Sequence, residues 1–416
     1  MGKTPEDLYR ERAQRVRDAV ALREPDMVPF QPFYHFFPAK YAGITNREVM
    51  FDYEKLAMAW KKVTLDFEPD GYNNPFLSIG IGPLMEILDC RQIQWPGGEL
   101  PVDKPFQFIE KEYMTAEEYD DFLFDPTDYI HRVFLPRAYG ALEPLQMLPP
   151  TPSLVYFRLM TGTGLLGVPQ VAGSIQALLD AAAETQKLLS KMKSFIDEMT
   201  SLGFPCQFGA IAFAPFDYFG DLLRGTRGVL MDMYKCPDKL LESMEKMVVY
   251  TIRGVLDNVK ASGNPYVYIP LHKSIDNFMS SDHFKTFFWP SLKKVILRLI
   301  EEGLVPCPFW EGNCESRLET IRDIPSGKAI YMFEQTDIFK AKDILGDTAC
   351  IRGNVPASLL CTGSPQEVTE YCKKIIEYAG KGGGFILDGG VGGPDESRPE
   401  NIRAMADAVR KYGVYG

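Results

Sequence analysis

The feature that most constrains this chain is a repeat running from residue 265 to residue 411. Five short apolar runs, PYVYIPLH (265–272), LVPCPFWEG (304–312), KAIYMFEQ (328–335), TACIRGN (348–354) and GGFILDGG (383–390), are each followed by a stretch with helical periodicity. Those stretches lie at 282–302, 314–323, 337–345, 365–379 and 399–411. Strands that alternate with helices at this spacing pair in parallel, because each helix carries the chain back to the same end of the sheet. Upstream, the pattern predicts a surface helix over 5–22, a strand near 28–33, a helix over 46–67, a helix over 173–202, a strand from 206 and a helix over 237–262. About three further units upstream bring the count to a (β/α)8 TIM barrel. The expectation is an α/β fold in one domain over 1–416. Residues 83–165, with the breakers QWPGGEL, DPTD and LPPTPS, read as an irregular insertion capping the barrel mouth. A doubly wound open sheet is the alternative, but no GxGxxG loop follows any strand.

Composition enters as a filter. At 45% hydrophobic and 12% aromatic residues, the chain has ample material for a packed core, which excludes disorder. A net charge of −11 without a basic stripe excludes a nucleic-acid partner. No apolar run is long enough to span a bilayer and the N-terminus lacks an apolar signal region, so no membrane partner and a cytoplasmic location are expected. The eight cysteines contain no CxxC pair and read as reduced core thiols.

Barrel enzymes keep their chemistry where strands end. Here those positions hold His272, Glu311, Glu334 with Asp337, Arg352-Gly353-Asn354, and Asp388, with His35, Asn73, Asn74 and Asp217 as upstream candidates. Each has a plainer reading beside the functional one. Glu311 can cap the next helix or pair with an arginine, and His272 can hydrogen-bond a loop. Asp337 best suits a helix cap. Asp388 can simply shape a glycine turn. The aromatic residues Tyr34, Phe36, Phe309 and Trp310 are expected to wall an apolar pocket, with His35 and Asn354 contacting substrate. No nucleophile elbow, phosphate loop or HExxH appears.

The segment IRGNVPASLLCTGSPQEVTEYCKKIIEYAGKGGGFILDGGVGGPDESRPENIRAMADAVRKYG (351–413) resembles the uroporphyrinogen decarboxylase superfamily, which also contains corrinoid-dependent methyltransferases. RERAQRVRDAVALREPDMVPFQPF (10–33) resembles the family's amino-terminal segment. The resemblance implies a (β/α)8 barrel with its pocket at the strand C-termini. The true decarboxylases carry a tryptophan and an Arg-Gln-Ala-Gly-Arg run near the N-terminus, where this chain reads PFQPFYHFFPAKYAG, nearly without cations. That disfavours a polyacidic porphyrin. The thiol methyltransferases hold zinc with a His-x-Cys pair and a later Cys. Here Phe309 and Glu311 stand at the first two positions, and Val391 or a neighbour in 388–390 at the third.

The resemblance therefore implies a corrinoid-dependent methyltransferase that moves a methyl group from a small methoxylated donor to a corrinoid protein. An alkoxide leaves poorly, so a proton donor or Lewis acid is needed at its oxygen. His272 and Glu311 are the expected catalytic pair, with Asp388 or Glu334 assisting. If zinc is bound, His272, Glu311 and Asp388 are the expected ligands. The expected partners are the methyl donor and the corrinoid protein, with a homodimer allowed. The alternatives are a decarboxylase acting on a non-porphyrin substrate and a non-catalytic binding subunit.

Overall fold

The five repeats fold as their spacing predicts. The computed structural model describes residues 2–149, 156–390 and 394–416. Its strands are β1 (Ile93–Gln94), β2 (Gln107–Phe108), β3 (Ala210–Ile211), β4 (Tyr266–Leu271), β5 (Val305–Trp310), β6 (Ile330–Phe333), β7 (Cys350–Asn354) and β8 (Phe385–Asp388). Strands β3 to β8 form one parallel ladder in sequence order. Two extended segments complete the circuit by single bridges, Phe30 to Leu387 and Tyr72 to Cys206. The Asp70 amide joins them to each other by donating to the Phe30 carbonyl at 2.7 Å. The architecture is TIM-barrel-like, with a continuous wall over β3–β8 and a thin one on either side of residues 70–72.

Two hydrophobic layers follow from strand alternation. Val267, Ile269, Leu271, Trp310, Tyr331, Phe333, Ile351 and Leu387 face outward into the helix layer. Phe208, Cys307, Phe309, Ile330, Met332, Cys350 and Ile386 fill the lumen, where Val16, Ala19 and Val20 of the helix Pro5–Val20 join them. The outer helices are closed by local chemistry. Helix Pro365–Ala379 starts on a Ser364/Glu367 capping box and buries Val368, Cys372, Ile375, Ile376 and Ala379 at helical spacing. Helix Pro237–Ser262 ends on Gly263 with a left-handed backbone (φ +68°). The helix expected over 46–67 is split in two, because Asp52 leaves the helix and caps Tyr53–Phe67 through the amides of Glu54 and Lys55.

The segment between the second and third barrel positions is long, running from Tyr72 to Cys206. It contains the helix Gly82–Leu88, the antiparallel pair β1/β2, short helical turns over 116–147 and the 33-residue helix Pro169–Ser201. It is tied to the loop after β3: the amides of Tyr113 and Met114 donate to the Leu223 carbonyl, and the Tyr119 hydroxyl to Asp232. Among the described residues, no single helix is long and apolar enough to cross a membrane.

Candidate active site

Register places the expected residues in one layer. Leu271 pairs with Trp310 and Trp310 with Phe333. Met332 pairs with Arg352 and Asn354 with Asp388. Continuing each pairing one or two residues sets His272, Glu311, Glu334, Asn354 and Asp388 side by side on five consecutive strands, all at inward-facing positions. The layer contains two separate polar clusters.

The first is built around His272. Its Nδ1 lies 2.5 Å from Asp221 Oδ2 and its Nε2 lies 3.4 Å from Glu311 Oε1. Lys273 Nζ holds the other Asp221 oxygen at 3.2 Å. Asp217, fully buried, accepts the backbone amides of His272 and Lys273 at 3.0 Å each and so fixes the turn that ends β4. Burial opposes charge on the imidazole, but hydrogen bonds to Asp221 and Glu311, and their charges, outweigh it and hold the His272 pKa up at about 11. His272 is an imidazolium at neutral pH. Burial, reinforced by the Asp221 charge, pushes the Asp217 carboxyl far above its ordinary range. Glu334 accepts the Gly312 amide at 2.6 Å, which shapes the turn behind Glu311, where Gly312 takes φ +63°.

The second cluster surrounds Arg352, which is 1% exposed. Its Nε donates to Asp388 Oδ2 at 2.8 Å, and its Nη2 to the Gln31 carbonyl at 2.6 Å and to Gln207 Oε1 at 2.9 Å. Gln207 donates to the carbonyls of Pro32 and Gly71. Asp388 Oδ1 accepts the amides of Phe33 and Gly389. The network bridges barrel positions where the ladder is reduced to single contacts.

Several expectations are corrected. The ligand set His272, Glu311 and Asp388 is not brought together: both His272 nitrogens face carboxylates, Asp388 is committed to Arg352, and among the described residues no group of three His, Cys, Asp or Glu side chains is arranged to hold a metal ion. Val391 lies outside the described residues. Trp310 is fully buried on the outer face of β5, packed near Trp289 and Tyr331. Tyr34 stacks on Phe37 in the helix layer. Both lie in the helix layer of the core. Phe309 does face the lumen, stacked on Tyr268 at 6.2 Å. His35 lies edge-on to Phe36 and to Phe106 of the insertion, and burial lowers its pKa to about 4, so it is neutral. Asn354 donates to the carbonyls of Glu334 and Thr336, and its buried Oδ1 has no partner among the described residues. Asp337 caps Ile338–Leu345, as expected.

Sequence reasoning missed Asp221, Lys273 and Tyr268. Asp221 lies four residues after Asp217 on one helical turn, and that spacing was its signal. Tyr268 is on the inward face of β4, stacked on Phe33 at 5.4 Å. Burial, and then the Glu311 charge, keep its hydroxyl protonated.

The family model described as "Uroporphyrinogen decarboxylase (URO-D)" matches residues 175–412, more than half of the chain. The chain belongs to the uroporphyrinogen decarboxylase family. Among the relatives, a protein named uroporphyrinogen decarboxylase from Methylococcus capsulatus is 28% identical over 196 residues, 46% of this chain and 54% of that protein. One of the same name from Coxiella burnetii is 22% identical over 186 residues, 44% of this chain and 50% of that protein. The chain thus spans about half the length of these relatives. A third, from Francisella tularensis subsp. holarctica, is 21% identical over 66% of this chain and 84% of its own length. Among solved structures, a methyltransferase from Methanosarcina mazei superposes with a TM-score of 0.61 at 15% identity, covering 96% of this chain and 98% of that one. That likeness shows the family's barrel-like fold across nearly the whole chain.

Proposed function

We propose that this family member is a methyltransferase that moves the methyl group of a small methoxylated donor to the corrinoid of a partner protein. The observation that carries the reading is the placement of His272 between the carboxylates of Asp221 and Glu311 at the C-terminal ends of β4 and β5, a setting that favours a protonated ring. The likeness to the Methanosarcina methyltransferase along the chain supports it.

The corrinoid belongs to the carrier protein and is a co-substrate, which in its reduced form offers a nucleophile to the methyl carbon. The chain's own work is at the other end of the breaking bond. His272 donates its Nδ1–H to Asp221 in a short charge-assisted bond that fixes the ring. The Nε2 proton, 3.4 Å from Glu311, is only weakly committed, so a substrate oxygen can compete for it. As the O–CH3 bond breaks, Nε2–H protonates the departing oxygen and leaves a neutral ring whose Nδ1–H still donates to Asp221, while the Glu311 and Asp221 charges favour the protonated ring and its reprotonation for the next turnover. The aromatic surfaces of Tyr268, Phe309 and Phe33 give the donor an apolar floor. Zinc does not fit the described residues, and no step runs through it.

Porphyrin decarboxylation is the less favoured reading, because the cations of the mouth are already neutralised. Lys273 pairs with Asp221, His272 with Asp221 and Glu311, and Arg352 with Asp388. A substrate with many carboxylates finds no unpaired cation among these. The deciding experiment mixes the protein with a reduced corrinoid protein and a panel of methoxylated compounds and follows the corrinoid spectrum. Methylation of cobalt dependent on the protein supports the proposal. Carbon dioxide release without the corrinoid protein, and no methylation, overturns it.

A further inference from the structure

A crevice of about 930 Å3 opens at the opposite, N-terminal end of the barrel. It runs between the helices Pro5–Val20 and Pro169–Ser201, past the thin wall at Cys206–Ile211, and ends in the lumen at Tyr266, Val305 and Ile330. Its size is that of a ligand site rather than a packing defect. Its walls are mainly apolar: Ala13 and Val16 on one side, Met192 and Ile196 on the other.

The charges on its lining do not cancel. Asp70 is taken by Arg15 and by the Phe30 amide, and Asp197 by Lys193. Arg17 hydrogen-bonds only Gln14, at 3.2 and 2.9 Å, and makes no ion pair among the described residues. Arg17 and Tyr266 both line the crevice. One uncommitted cation and one phenol thus stand beside a long apolar wall.

We propose that this crevice is a second binding site, separate from the mouth, for an amphipathic monocarboxylate whose head meets Arg17 and Tyr266 and whose apolar body lies along Ala13, Met192 and Ile196. The Arg352 network, of which Gln31 and Gln207 line the crevice, lies between the two sites. The site therefore works whatever reaction the mouth performs.

Decanoate below its micelle concentration is the probe, titrated calorimetrically into the full chain, with decyltrimethylammonium as the cationic counterpart. The expected result is saturable one-to-one binding of decanoate only, with a melting temperature that rises with its concentration. Arg17→Gln, at an exposed position, weakens binding about tenfold or more through loss of a charge-assisted bond. Ala13→Phe, checked for native melting, fills the crevice and abolishes binding, whereas His272→Gln leaves it intact. Absent saturation, equal binding of the cationic probe, an unaltered Arg17→Gln affinity, or loss of binding in His272→Gln would each overturn the proposal.

Discussion

At the scale of single residues, His272 carries the clearest expectations. His272→Gln keeps the size and loses the transferable proton. Methyl transfer should fall by about 10²–10⁴-fold, the usual share of a general acid, with KM little changed. Single-turnover kinetics separate the two. The pH dependence follows from the raised pKa. Its stabilising contribution is fully present below the ordinary histidine value of 6.5 and is lost as pH rises through about 11. Turnover that needs the imidazolium should therefore stay level across neutral pH and decline only on the alkaline side. Asp221→Asn removes the closest anion, so the alkaline limb should move down. A wild-type profile that declined between pH 6 and 7 would contradict the imidazolium assignment. Asp221 itself was hard to read in the sequence. Its importance depends on a turn after β3 that lands beside a histidine 51 residues later.

Individual elements show which parts of a strand end can be read locally. Asp337 was legible as a cap because its partners, the amides of Phe339 and Lys340, are two and three residues away. Phe309 and Trp310 were not separable, because a parallel strand covered on both sides is apolar at every position and gives no parity. Asp388 was legible as a strand-end acid but not as the partner of Arg352, which comes from the adjacent strand β7. Gly353 lets β7 lie close to its other neighbour, β6: at φ +142°, a Cβ there would meet the Phe333 carbonyl oxygen at 2.6 Å. Since Arg352 and Asp388 are 1% and 2% exposed, Asp388→Asn strands a buried guanidinium. Stability should drop by about 3–5 kcal/mol in urea titration. A double change to Arg352→Met with Asp388→Leu should cost less than the single one. A single change that costs nothing would show that the pair does not hold the thin wall together.

Taken as a whole molecule, the C-terminal five units were legible because each buries a full strand and a full helix. Of the N-terminal three, the first was legible near 28–33 and the third from 206, although the first two enter the ring through single bridges, and no strand was placed at the second, around Tyr72. The layer of mouth residues was legible because register in a parallel barrel brings successive strand ends to the same height. What lay between the second and third positions, including the long helix beside the crevice, has no counterpart in the repeat. Ring closure also relies on the plug from the helix Pro5–Val20. Ala19, fully buried in the lumen cluster, should tolerate no charge, and Ala19→Asp should cost about 3 kcal/mol or more in chemical denaturation.

The lumen cysteines give the barrel an internal clock. Cys307 and Cys350 are fully buried on β5 and β7, and burial holds both thiols protonated, Cys350 up to about 12. Only a thiolate reacts with iodoacetamide, so neither can be alkylated while the ring is shut. Their labelling rate at fixed pH therefore counts openings of the wall between β5 and β7. It should rise in Asp388→Asn, whereas the half-buried thiols of Cys236 and Cys361 would label at an unchanged rate. Mass spectrometry of the two peptides would time the breathing of the barrel without any added probe.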